Sequence, residues 1–172
     1  LGGKAPFLVM EDADIDAAVE AAIVSRFTNC GQICTCAERI YVHKAVAQEF
    51  TEKFVARAQA ITLDDPMTSP GMGPKVSKAE VEKVHAMVVE ASGAGAEILT
   101  GGQRTERFDR GHWYDPTVVS VTKGSVLTRA EIFGPVAPVT VVEDFDEAMA
   151  EANNSDYGLS AYLFTNDMKR IM

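Results

Sequence analysis

The sequence is poor in the residues that build metal centres and disulfide frameworks. Its 172 residues include three histidines, one tryptophan and three cysteines, and Cys30, Cys34 and Cys36 all fall in one stretch, NCGQICTCAER at 29–39. An odd number of clustered thiols is a poor basis for a secreted disulfide scaffold, so reduced cysteines are expected. A tetrahedral zinc or an iron–sulfur site needs about four ligands. His43, His85 and His112 stand singly, so no second ligand cluster accompanies the C-x3-C-x-C spacing, and no metal is expected. Positive charge is scarce as well: 16 Lys and Arg face 25 Asp and Glu, a net charge of -9. The acidic residues are spread along the chain, which argues against nucleic acid or an anionic membrane as the main partner. No apolar run approaches the ~20 residues of a membrane span, and Leu1-Gly2-Gly3-Lys4 lacks the basic-then-apolar order of a signal peptide. A cytoplasmic setting is expected. Internal repeats and low-complexity segments are absent.

What is present suits one sizeable core, with 47% hydrophobic residues and 24% charged. From Asp14, apolar residues at Ile15, Ala18, Val19, Ala22 and Ile23 recur at helical spacing, with Asp14 as cap and Asn29 and Gly31 as stop. Arg39–His43 reads as a strand, followed by a helix carrying Val46, Phe50, Phe54, Ala58 and Ile61 on one face. The stretch 65–74, rich in Pro and Gly, reads as an exposed loop. Ser77 with Glu80 resembles a capping box for a helix that Gly93 and Gly95 end. Glu97–Thr100, Val136–Val142 and Leu159–Thr165 read as strands and Phe145–Ala152 as a helix. Such alternation predicts an α/β domain around a mostly parallel sheet flanked by helices. Leu1 falls in mid-motif and Met172 ends a helix barely begun at Asp167, so the chain is expected to be a piece of a longer protein.

The residues alone leave the cysteines open. Cys34 follows Gly31-Gln32-Ile33 in a loop after a helix, where glycine permits close approach and backbone N–H groups can face a developing negative charge. That suits a nucleophile, yet a free cysteine is more often a small buried hydrophobe. Glu131 is equally readable as a turn cap, Phe133 as core and Gly2-Gly3 as a bend. Glu38-Arg39 are expected to form local charge pairs or hydrogen bonds at the start of a strand, and Trp113-Tyr114 to fill core.

Asn29-x-Gly31-Gln32-x-Cys34 resembles the cysteine motif of the aldehyde dehydrogenase superfamily. Leu1-Gly2-Gly3-Lys4 is similar to the tail of that family's E-L-G-G-K motif, and Glu131-Ile132-Phe133-Gly134-Pro135-Val136 to its E-[IF]-F-G-P-V motif. The resemblance runs over essentially the whole chain. It implies a thiol-bearing catalytic domain in which Cys34 attacks an aldehyde, NAD or NADP receives the hydride, and the thioester is hydrolysed. By the same resemblance Glu131 holds the nicotinamide ribose, Phe133 packs near the nicotinamide, and Leu1 and Gly2 line that pocket. Cys30 and Cys36 bracket the nucleophile as packing residues.

The resemblance further implies that residues 1–172 are a partial catalytic domain. The general-base glutamate, the Rossmann-type cofactor domain and an oligomerisation segment would lie outside it, in a dimeric or tetrameric parent. The run Cys34-Thr35-Cys36-Ala37-Glu38-Arg39 looks most like the lactaldehyde and glycolaldehyde branch. A catalytically silent protein of the same fold and a cysteine metal module are the rival readings.

Overall fold

A computed structural model describes residues 2–68, 71–105 and 107–172. In chain order the elements are β1 (Ala5–Val9), α1 (Ile15–Phe27), a short 3-10 turn (Thr28–Gly31), β2 (Ala37–His43), α2 (Ala47–Gln59), α3 (Lys78–Gly93), β3 (Glu97–Thr100), β4 (Arg104–Thr105), β5 (Trp113–Tyr114), β6 (Thr117–Ser120), α4 (Val126–Arg129), β7 (Val136–Val142), α5 (Phe145–Asn153), β8 (Tyr162–Phe164) and α6 (Met168–Ile171). Six strands form one sheet in the order β3-β6-β7-β2-β1-β8. Among the described residues of that sheet only the edge pair β3/β6 is antiparallel, and β4 and β5 form a separate antiparallel pair, so the mostly parallel α/β fold read from the sequence is present.

Alternation along the strands explains why helices cover both faces. Phe7, Val9, Ile40, Val42 and Val139 point into a core with α1 and α2, where Phe27, Phe50 and Phe54 pack. Leu8, Tyr41 and Val142 point the other way, towards Ala148 of α5. On that side Val119 and Val136 meet Val84 and Val88 of α3. Local chemistry sets the helix starts. Asp14 Oδ1 accepts from the N–H of Ala17 at 3.0 Å, Ser77 Oγ from that of Glu80 at 3.3 Å, and Asp144 Oδ1 from that of Glu147 at 2.9 Å.

The sequence reading missed β1, a central strand. Its signal is masked by Pro6, which cannot donate to a ladder; a register shift between Ala5 and Pro6 accommodates it. The reading also missed β6, and it drew β8 too long at both ends. Among the described residues no helix is long and apolar enough to cross a membrane.

Candidate active site

Three segments far apart in sequence each lead into the amino end of a strand: Gly2–Lys4 into β1, Gln32–Cys36 into β2, and Glu131–Pro135 into β7. Those strands are adjacent and parallel, with Ala5 opposite Ala37 and Ile40 opposite Val139. Their approaches therefore meet on one rim of the sheet.

Cys34 is the exposed thiol of the three. It occupies a turn closed by the N–H of Cys36 donating to the carbonyl of Ile33 at 3.2 Å, and among the described residues its own N–H has no partner. A free N–H beside an open sulfur can serve as an oxyanion donor. The loop is braced from both sides. Gln32 Oε1 accepts from the N–H of Val76 at 2.9 Å, while Gln32 Nε2 donates to the carbonyl of Asn29 at 2.9 Å. Gly31 (φ +70°) runs so close to Gly134 that a Cβ would stand 2.3 Å from that carbonyl oxygen. Thr35 is held by Tyr162 Oη, which donates to its carbonyl at 2.7 Å.

Gly3 joins the thiol to the acid. A Cβ there would lie 1.7 Å from the carbonyl oxygen of Cys34, and the Gly3 N–H donates to Glu131 Oε1 at 2.8 Å. Glu131 Oε2 lies over Gly2 and has no hydrogen-bond partner among the described residues. Phe133 is half-buried with φ +51°. The structure thus brings Cys34, Gly2, Glu131 and Phe133 to one rim, and Leu1 lies outside the described residues. A carboxylate oxygen over a glycine turn with no hydrogen-bond partner among the described residues fits the hydroxyl-bearing ribose end of a nicotinamide cofactor.

Cys30 and Cys36 are buried. Burial pushes the Cys30 thiol up to about 12 and the Cys36 thiol up as well. Since the thiolate is the reactive form, limiting iodoacetamide near neutral pH is expected to alkylate Cys34 at least about tenfold faster than either neighbour. Peptide mapping checks this, and equal labelling of all three would refute it.

Behind the rim lies a buried ionic cluster that sequence reasoning missed. Glu38 pairs with Lys4 at 2.8 Å and with Arg26 at 3.0 Å, all nearly sealed from solvent. Its two oxygens also accept from the N–H groups of Ile132 (2.8 Å) and Phe133 (2.9 Å). Arg26 reaches the carbonyls of Ala37 at 2.9 Å and of Gly134. Lys75, equally buried, donates to the carbonyl of Phe133. The expected local pairing of Glu38 and Arg39 is corrected: Glu38 bonds across the fold, and Arg39 donates to the carbonyls of Lys4, Glu151 and Ala152 at 2.8–2.9 Å. The alternation of a strand points the two side chains in opposite directions. A signal did exist, since Arg26 continues the apolar helical stripe of Ala18, Ala22 and Ile23, and a charge on such a stripe requires a buried partner.

Burial pushes the Glu38 carboxyl up, but Arg26 and Lys4 outweigh it and hold it at about 2. Burial also pulls the Lys4 ammonium down to about 8 against the attraction of Glu38. Because the folded carboxyl lies below its ordinary 4.5, the unfolded chain takes up that proton first as pH falls. The stability Glu38 contributes is complete above about 4.5 and is withdrawn towards pH 2. Urea unfolding of wild type and Glu38→Gln from about pH 6 to about pH 2.5 is expected to show their gap narrowing on the acid side; parallel profiles would refute it.

Among the described residues no group of three or more His, Cys, Asp or Glu is placed to hold a metal ion. Comparison with known proteins matches residues 1–172 to the aldehyde dehydrogenase family. The chain is 46% identical to 3,6-anhydro-alpha-L-galactose dehydrogenase of Vibrio sp. (strain EJY3), with 99% of this chain and 36% of that protein covered. It is 41% identical to D-glyceraldehyde dehydrogenase (NADP(+)) of Picrophilus torridus, covering 99% and 35%. Among solved structures, lactaldehyde dehydrogenase from Escherichia coli superposes with a TM-score of 0.95 at 37% identity, covering 99% and 36%. Further relatives are named for succinate semialdehyde and betaine aldehyde. The chain thus spans about a third of the length of these relatives.

Proposed function

We propose that this chain, which belongs to the aldehyde dehydrogenase family, is a partial catalytic domain of a longer NAD(P)-dependent aldehyde dehydrogenase. The observation that carries the reading is the exposed Cys34 packed through Gly3 against Glu131. In this reading the Cys34 thiolate adds to the aldehyde carbon, forming the C–S bond and moving an electron pair to oxygen. The Cys34 N–H stabilises that oxyanion. A nicotinamide cofactor bound at this rim would supply the acceptor for the hydride that leaves the former aldehyde carbon as the carbonyl re-forms. Glu131 Oε2 would hold the ribose hydroxyls of that cofactor and Phe133 would flank its nicotinamide, fixing where the hydride goes. Water then cleaves the thioester C–S bond, releasing a carboxylic acid and the thiol.

The dinucleotide domain, the general base for hydrolysis and the segments that assemble a homo-oligomer belong, on this reading, to the rest of a cytoplasmic protein. The 172-residue chain alone is expected to bind cofactor weakly and to show no sustained turnover, because Glu131 and Phe133 hold only one end of the ligand. Turnover comparable to the full-length protein would overturn that.

For substrate we favour a small hydroxyaldehyde such as lactaldehyde; the names of the relatives include glyceraldehyde and a larger hydroxyaldehyde, 3,6-anhydro-alpha-L-galactose. The Cys34–Arg39 run adds little, because Glu38 and Arg39 are buried and their hydrogen bonds go to the protein's own backbone and side chains. Assay of the full-length protein with NAD and NADP against lactaldehyde, glyceraldehyde, succinate semialdehyde and betaine aldehyde decides. Preference for either of the last two removes the hydroxyaldehyde reading, and no reduction of either cofactor with any aldehyde removes the enzyme.

A further inference from the structure

Phe133 is an aromatic residue in the left-handed region at φ +51°. An aromatic persists there only where its surroundings over-determine it, and here the peptide groups on both sides of its Cα are held by buried ions. On one side Glu38 Oε1 accepts from its N–H at 2.9 Å while Glu38 Oε2 accepts from the N–H of Ile132 at 2.8 Å. On the other side Lys75 Nζ donates to the Phe133 carbonyl and lies 5.5 Å from the centroid of its ring. Arg26 bonds the next carbonyl, of Gly134. None of these three charges lies on the exposed rim, and each comes from a different part of the chain: α1, β2 and the loop before α3.

Glu38 also accepts from Lys4 at 2.8 Å, and Lys4 follows the glycine that presses on Cys34. One carboxylate therefore fixes the turn bearing Glu131 and Phe133 together with the segment that abuts the thiol. We propose that Glu38 and Lys75 are positioning residues of the reaction, a two-sided clamp on Phe133 that sets the cofactor-binding turn 131–133 at its working distance from Cys34. The inference rests on the dehydrogenase reading, in which that turn holds the nicotinamide end of the cofactor. Glu38 needs its charge for this, because an amide would point donor hydrogens at Lys4 and Ile132, or at Arg26 and Phe133. Lys75 needs only its donor to the carbonyl.

The test uses the full-length protein and NAD(P)H binding followed by fluorescence. Glu38→Gln is expected to weaken cofactor binding by about tenfold or more, and Lys75→Met by at least about threefold, since one end of the clamp remains in each. In Lys75→Met the cofactor-free alkylation rate of Cys34 is expected to stay within about twofold of wild type, because the Lys75 ammonium bonds the turn and not the segment that abuts the thiol. A core variant of comparable stability loss, Phe54→Leu, reports what loosening alone does and is expected to leave cofactor affinity unchanged. Unchanged affinity in folded Glu38→Gln overturns the proposal. If that variant does not fold, unchanged affinity in Lys75→Met overturns it; so does a loss in Phe54→Leu equal to that in the clamp variants. A wild-type protein that reduces no cofactor with any aldehyde instead removes the underlying reading.

Discussion

Cys34→Ser in the full-length protein is expected to lower kcat for aldehyde oxidation by roughly 10^3-fold or more, with almost no change in stability. The side chain is exposed and its sulfur makes no hydrogen bond among the described residues, so its loss touches little packing, and such surface changes stay within about 0.5 kcal/mol. The rate falls because a serine hydroxyl is not ionised near neutral pH and is a far weaker nucleophile than a thiolate, and among the described residues no side chain hydrogen-bonds to position 34 to activate it. Neither neighbour can substitute, since both are sealed and burial disfavours their thiolates. Steady-state formation of reduced cofactor, with thermal unfolding as control, checks this. A variant within about tenfold of wild type would place the nucleophile elsewhere.

Gly3→Ala is the second large effect. The added methyl would stand 1.7 Å from the Cys34 carbonyl oxygen and 2.8 Å from its carbon. The obstacle is backbone and cannot swing aside, so β1 and the thiol loop must part by roughly 1 Å or more, a displacement that costs on the order of 100-fold in rate. Overpacking of this kind also costs about 1–3 kcal/mol. The expected result is a fall in kcat/KM of about two orders of magnitude with a clearly lowered Tm. Gly93→Ala, where nothing lies within 4 Å of the new methyl, serves as the contrast and is expected to be neutral or slightly stabilising. Wild-type activity in Gly3→Ala would show that the contact between the first segment and the thiol loop has no bearing on catalysis.

Much of the fold was legible because its signals are local. Asp14 and Ser77 cap their helices through residues three places on, and the apolar stripe of α2 needs only its own spacing to be recognised. β1 was not legible, because Pro6 and a run of five buried residues erase the alternation by which a half-exposed strand is read. Cys34 stood out by its glycine-rich approach, whereas Glu131 and Phe133 stood out only through resemblance; nothing in their own neighbourhood predicts a left-handed phenylalanine.

The sequence by itself determined two of the helix caps, the alternating order of helices and strands, the clustering of the thiols, and the motifs that mark the family. Tertiary structure alone decided that β7, β2 and β1 lie side by side and parallel, and so which residues share a rim. It also decided that Glu38, Lys4 and Arg26 neutralise one another in the interior. The reason is range: caps and periodicity act over one helical turn, while the contact between residues 3 and 131, and the pairing of charges at 4, 26 and 38, exist only once hydrophobic burial has closed the sheet.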